Sequence, residues 1–217
     1  MDKKIVVATH NPNKVREFKE VLEPLGYQVY SDKDFNVHNE PNEDGKNYQE
    51  NAYIKAHALC SLLNIPVISD DSGIEIDALG EGFPGIHSAR WAASISPDYR
   101  IVDEYVLSLL KDKENRKARY HCSICLLESK DAEPLFFDGV CEGKIANKIG
   151  GMNGFGYDPI FIADEGNLCF GDISDEKKNA ISHRGKAVQK LLAYLSKQSK
   201  LNKYQKQSRT EPRDKST

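Results

Sequence analysis

Five consecutive residues, Ser69-Asp70-Asp71-Ser72-Gly73, have the types and spacing to do chemistry. They follow Ile65-Pro66-Val67-Ile68, an apolar run too short for a helix and interrupted by proline, which reads as a buried strand. The acidic pair is therefore expected at a strand's end. Ligands of open α/β sheets bind at that edge, and two adjacent carboxylates there repel each other unless a cation or a shared proton intervenes. Neighbouring side chains of an extended chain point to opposite sides, so one of Asp70 and Asp71 faces a ligand while the other orients it or holds a metal. Ser72 adds a hydroxyl, and Gly73 a turn that lets backbone amides come close. Without a ligand, the same five residues are simply an acidic turn.

Two more stretches carry chemistry of a complementary kind. Thr9-His10-Asn11-Pro12-Asn13-Lys14 lies between a predicted strand and a predicted helix, with Asn11 as N-cap and Pro12 at the first helical position. Free helix amides, the helix dipole, the Thr9 hydroxyl and the Lys14 ammonium converge there, an arrangement that binds phosphate without the glycines of a Walker loop. Further on, glycines surround Phe155 in Gly150-Gly151-Met152-Asn153-Gly154-Phe155-Gly156-Tyr157-Asp158. They let the ring stand clear of the backbone to stack on a flat ligand, with Asp158 near its edge; the alternative is a flexible loop with one buried aromatic. His183 and Arg184 open the last helix, where cations oppose the dipole, and such local conflicts mark sites more often than scaffolds.

The elements that must position these residues follow from periodicity. Lys3–Ala8 and Gln28–Tyr30 read as strands, and Val15, Phe18, Leu22 and Leu25 as one face of the helix between them. A second helix buries Ala52, Ala56, Leu59 and Leu63 and leaves Glu50, Asn51 and Lys55 elsewhere on its surface. Ile74–Asp77 alternates as a half-exposed strand. Helices are expected over 86–93 and 97–111, the latter with Ile101, Tyr105, Leu109 or Val102, Val106 as its core face. Residues 119–128 and 134–145 read as a β-hairpin and 160–163 as a strand. A helical turn over 174–180 precedes a last helix whose stripe is Val188, Leu191, Leu192 and Leu195. Early strands alternating with helices, then a long hairpin, predict an α/β fold with a mixed central sheet and flanking helices.

At 217 residues the chain can bury a sizeable core. No apolar stretch approaches the roughly 18 to 20 residues of a membrane span, and Met1–Lys4 leads into a strand rather than a signal peptide, so a cytoplasmic protein without membrane association is expected. The five cysteines form no disulfide framework, and Cys122 with Cys125 is a single pair inside a strand, which argues for core packing over structural zinc. Residues 197–217 hold seven Lys or Arg against two acidic residues, a balance of +5 that leaves the rest of the chain at −8 of its total −3. This tail is expected to be disordered and solvated, with no specific nucleic-acid partner.

Taken together, these segments resemble the inosine triphosphate pyrophosphatases. The family's patterns T-x-N-x-x-K, E-N-A-x-x-K-A, S/A-D-D-S-G, P-G-x-x-S-A-R, F-G-Y-D-P-x-F and S-H-R-G occur here in order. They stand at Thr9–Lys14, Glu50–Ala56, Ser69–Gly73, Pro84–Arg90, Phe155–Phe161 and Ser182–Gly185. The resemblance covers residues 3 to about 196, and the tail has no counterpart. It implies one catalytic unit over 1–196 with two lobes around a cleft, a homodimer, Mg2+, and hydrolysis of ITP, dITP and XTP to the monophosphate and pyrophosphate. Residue by residue, it implies that Thr9 to Lys14 and Lys55 hold the phosphates. Asp71 is the general base or a metal ligand, with Glu43 joining the metal site. Ser72, Phe155, Gly156, Tyr157, Asp158, Lys178, His183 and Arg184 bind the nucleotide.

Elementary chemistry agrees. A triphosphate needs its charge offset before water can attack phosphorus, and a carboxylate in reach of that water can take its proton. A 6-oxopurine offers an acceptor where adenine offers an amino group, so donors such as His183 and Arg184 can discriminate between them by roughly 10⁴ to 10⁵. Two other readings compete: a related nucleotide pyrophosphatase or phosphatase with another substrate, and a non-catalytic nucleotide- or RNA-binding protein using the basic tail.

Overall fold

A computed structural model describes residues 3–38 and 41–210. The first strand, β1 (Lys3–Val7), pairs in parallel with β2 (Tyr27–Ser31) on one side and β3 (Val67–Ile76) on the other. Antiparallel pairing then runs through β4 (Lys117–Leu127), β5 (Leu135–Ile145), β6 (Phe161–Ala163) and β7 (Leu168–Cys169), so the seven-stranded sheet is mixed, in the order β2-β1-β3-β4-β5-β6-β7. Its helices are α1 (Pro12–Leu22), α2 (Tyr48–Leu63), α3 (Ser88–Ile95), α4 (Tyr99–Leu109), α5 (Asp175–Ile181) and α6 (His183–Thr210).

Strand alternation divides the core between the two faces. On one, Ile68, Cys122 and Ile124 pack with Phe18 and Leu22 of α1 and Leu191 and Leu195 of α6. On the other, Val67, Cys125 and Leu127 meet Ala52, Ala56 and Leu59 of α2. Each large side chain buried this way stabilises the fold by roughly 1.5–3 kcal/mol. Cys122 and Cys125 thus face opposite sides as core residues. On the distal half of the sheet, Ile74, Ile76 and Tyr120 meet Val102 and Val106 of α4, Phe161 and Phe170. That selects between the two candidate core faces of α4: Ile101, Tyr105 and Leu109 are exposed.

Several expectations are corrected. Ser69–Gly73 is not a turn at a strand's end but the middle of β3, because ten consecutive residues, Val67 to Ile76, find register partners in β4. Pairing overrides the low β-propensity of Ser, Asp and Gly. Gly73 serves close approach rather than a turn: the Gly85 carbonyl and Ser88 Oγ occupy the space a Cβ would take. The first helix stops at Leu22, and Leu25 lies in a separate 3-10 turn over Glu23–Leu25 that contains Pro24. Asn51 is fully buried rather than on the α2 surface. The stretch after Lys197 is helical as far as Thr210 rather than unstructured. No Gly or Pro interrupts it, and a helix already nucleated extends at little cost. The rest of that tail, 211–217, lies outside the described residues. No helix among the described residues is long and apolar enough to cross a membrane.

Asp103 on α4 is a buried carboxyl whose Oδ1 has no hydrogen-bond partner among the described residues. Burial, with Asp158 adding to it, pushes its pKa up to about 7 from 3.8. Between those values the native state binds more protons than the unfolded chain, so stability falls as pH rises through this window and levels off above it. Asp103→Asn removes that loss. It is expected to stabilise the protein by roughly 2 to 4 kcal/mol at pH 8 and by little at pH 4, and denaturant unfolding that shows equal gains at both pH values would contradict this.

Candidate active site

Because β3 is extended, Asp70 and Asp71 leave it on opposite faces, and each finds a different environment. Asp70 points to the side of α1 and α6. Its Oδ2 lies 2.8 Å from Lys14 Nζ and 3.4 Å from Arg184 Nε, and accepts from Ser72 Oγ at 3.0 Å. Arg184 also donates from Nη2 to Ser72 Oγ at 3.2 Å and from Nη1 to Glu17 Oε2 at 3.4 Å. Burial alone would raise the Asp70 pKa, but Lys14, Arg184 and Lys55 hold it well below the usual carboxylate range. Lys14 reaches this carboxylate from the first turns of α1, whose cap forms as the sequence predicts: Asn11 Oδ1 accepts from Asn13 N at 3.0 Å, with Pro12 following.

Asp71 faces α2. Lys55 Nζ stands between its Oδ1 at 3.5 Å and Glu43 Oε1 at 3.4 Å, and Asn51 Nδ2 donates to its Oδ2 at 3.2 Å. Here burial wins over Lys55, and with Glu43 and Asp70 adding repulsion the Asp71 pKa is raised. The strand therefore carries one carboxyl held ionised and a neighbour made more willing to take a proton. Glu43 and Asp71 offer hard oxygen donors converging on one cation, Lys55. Among the described residues no three His, Cys, Asp or Glu side chains gather into a metal cage. Glu50, which opens the same motif as Lys55, does not join them: its Oε2 accepts from Lys46 N at 2.7 Å, closing the start of α2.

In the loop before the last helices, Gly154 and Gly156 adopt positive φ of 77° and 64° and turn the chain around Phe155, which remains 39% exposed. Asp158 Oδ2 accepts from Phe155 N at 2.8 Å and from Lys178 Nζ at 2.5 Å, and Lys178 Nζ stands 4.8 Å from the Phe155 ring centroid. The Arg184 guanidinium carbon lies 5.6 Å from the same ring. His183 stacks on Tyr120 with centroids 4.5 Å apart and planes 8° apart. Burial, reinforced by Arg184 and Lys178, drives its pKa well below 6.5, so the imidazole is neutral, and its buried Nδ1 has no partner among the described residues. With His183 uncharged and Arg184 matched by Asp70 and Glu17, the start of α6 escapes the clash with its own dipole.

These parts line a single cleft of about 610 Å³. Thr9, His10, Asn11, Lys14, Glu43, Lys55, Asp71, Ser72, Phe155, Gly156, Tyr157, Asp158, Lys178, His183 and Arg184 all border it, whereas Pro12 and Asn13 of the predicted set do not. Those two shape the first turn of α1. His10 also pairs with Asp32 Oδ2 at 2.7 Å. Sequence reasoning missed Arg90, Tyr99 and Tyr120 of the lining, and Asn51 behind it. Arg90 ends the Pro84–Arg90 motif and was legible there; Tyr120 is one of many alternating strand residues and carried no signal.

Comparison with known proteins places this geometry among relatives. The model of the Ham1 family matches residues 5–194. A dITP/XTP pyrophosphatase of Bacillus anthracis is 44% identical over 191 residues, covering 87% of this chain and 94% of that protein. Its counterpart in Vibrio parahaemolyticus is 41% identical over 199 residues, covering 91% and 98%. Among solved structures, a HAM1 protein from Coxiella burnetii superposes with a TM-score of 0.82 at 37% identity, covering 91% of this chain and all of that one. The Staphylococcus aureus Ham1 protein gives 0.80 at 36% identity, covering 90% and 100%.

Asp70→Asn is expected to destabilise the protein by about 3–5 kcal/mol, because it strands Lys14 and Arg184 without their shared counter-charge. Urea unfolding that reports a loss below about 1 kcal/mol would show the three groups to be independent.

Proposed function

The chain belongs to the Ham1 family, and from that premise we propose that it hydrolyses ITP, dITP and XTP to the monophosphate and pyrophosphate. What carries the reading is the polarity of one cleft. Lys14 and the Thr9–Asn11 turn border it together with Lys55, Glu43 and Asp71, and so do an exposed aromatic ring, a neutral histidine and an arginine. Lys14, Lys55 and the Thr9–Asn11 turn bind the triphosphate and offset its charge. Asp71 takes a proton from the water whose oxygen bonds to the α-phosphorus. The bond from that phosphorus to the bridging oxygen breaks, and pyrophosphate leaves.

Glu43 and Asp71 fit Mg2+, which prefers few carboxylates together with phosphate oxygens and water. When bound, Mg2+ supplies further neutralisation of the phosphates. The base stacks on Phe155. Arg184 uses three of its five N–H groups on Asp70, Ser72 and Glu17, leaving two to offer a 6-oxo group. Adenine presents an amino group there and leaves those donors unpaired. Arg90, exposed at the cleft wall, adds a further cation.

The same reading includes the cytoplasm as the place of action and a homodimer. The exposed stripe Ile101, Tyr105 and Leu109 on α4 is apolar surface that pairing would cover. Ile101→Asp is then expected to shift sedimentation to the monomer, and a wild-type monomer removes the dimer from the account.

Arg184→Ala is expected to lower the ITP/ATP preference by an order of magnitude or more, whereas Asp71→Asn lowers turnover by about 10² to 10⁴ with the preference kept. Pyrophosphate release from ITP, GTP and ATP with both variants checks this. Stepwise release of phosphate, or unchanged selectivity in Arg184→Ala, contradicts it.

A further inference from the structure

Asn51 has no assigned part in the reaction, yet it is fully buried and hydrogen-bonded to Asp71 of the cleft. Its amide nitrogen donates to Asp71 Oδ2 at 3.2 Å, and its amide oxygen accepts from Gly45 N at 2.9 Å. The chemistry of the two partners fixes this orientation: an ionised carboxylate only accepts and a peptide N–H only donates. A primary amide satisfies both ends, whereas Asp offers two acceptors and Leu offers nothing.

Gly45 lies two residues after Glu43, so the Asn51 oxygen holds the loop that carries the second carboxylate. The loop sits directly on the first turn of α2. A Cβ on Gly45 would come within 2.6 Å of Asn51 Oδ1, 2.8 Å of Glu50 Cβ and 2.9 Å of Asn51 N. Lys46 N, donating to Glu50 Oε2 at 2.7 Å, fastens the loop's next residue. Lys55, one helical turn beyond Asn51 on α2, bridges the same two carboxylates through its ammonium group. Asp71 and the Glu43 loop are thus tied twice, once by charge through Lys55 and once by directed hydrogen bonds through Asn51. Charge attraction tolerates a range of separations; the amide does not.

We propose that Asn51 is a positioning residue that sets the spacing of Glu43 and Asp71, and thereby the affinity of the cleft for a divalent cation. This rests on the reading in which those two carboxylates share a cation. Groups that hold metal ligands in place typically alter affinity 10- to 100-fold when removed. Asn51→Leu and the isosteric Asn51→Asp are expected to weaken the site by about that factor, and Gly45→Ala to do the same from the loop side.

The test is Mn2+ binding, followed by the electron paramagnetic resonance of free Mn2+ in the presence of the α,β-methylene analogue of ITP, alongside thermal melting. Wild type that binds no Mn2+ defeats the shared-cation reading itself. Wild type that binds, with folded Asn51 and Gly45 variants binding equally well, defeats the role of Asn51 while leaving that reading intact. A general loss of folding is separated by a double-mutant cycle. If Asn51 acts by setting the spacing of the two carboxylates, Asn51→Leu costs less Mn2+ affinity in a Glu43→Gln background than in the wild type. An undiminished further loss there overturns the proposal, and Gly45→Ala serves if Asn51→Leu does not fold.

Discussion

An extended strand sends successive side chains to opposite faces, and in β3 this rule separates two adjacent carboxylates that would otherwise repel at close range. Asp70 enters the layer beneath α1 and α6, and Asp71 the layer beneath α2. Each then needs its own compensation, and the helices deliver it: Lys14 from α1 and Arg184 from α6 on one side, Lys55 and Asn51 from α2 on the other. The cleft exists because those compensating groups, with Glu43, approach the same stretch of strand. Residues distant in the chain meet there through charge balance as much as through apolar packing.

A consequence is that two groups of the cleft are mechanically joined. Lys14, proposed for the phosphates, and Arg184, proposed for the base, both bind one buried oxygen of Asp70. Moving either cation leaves an ionised carboxylate in the core, which is costly, so their separation is held nearly constant. The same economy explains the start of α6, where two basic residue types tolerate a helix N-terminus: one has lost its charge to burial and the other has carboxylates to answer it.

Much of this was legible in the sequence. Asn11 and Pro12 opening α1, the opposite orientation of Asp70 and Asp71, and the glycines that turn around Phe155 all follow from local chemistry, and local chemistry is what a sequence displays. What escaped was decided by tertiary partners. The length of β3 depends on ten register pairs with β4, and no property of Ser-Asp-Asp-Ser-Gly announces them. Asn51 reads as a surface residue until Asp71 and Gly45 are seen on either side of it. Tyr120 stacks on His183, 63 positions away in the chain, and no local pattern announces that contact. The membership of the Ham1 family was visible because six short motifs, read together, carry many of the residues that meet in the cleft.

In the proposed binding mode a triphosphate lies against Lys14 and Lys55 while its base lies against Phe155, with Asp71 beside the bond that breaks. A crystal structure of Asp71→Asn with ITP and Mg2+ tests it most directly. The inosine ring is expected on Phe155 with its 6-oxo group toward Arg184 and His183, and the phosphates at the start of α1. A nucleotide bound in the reverse sense, or seated instead in the neighbouring apolar hollow of Phe35 and Leu62, would contradict it.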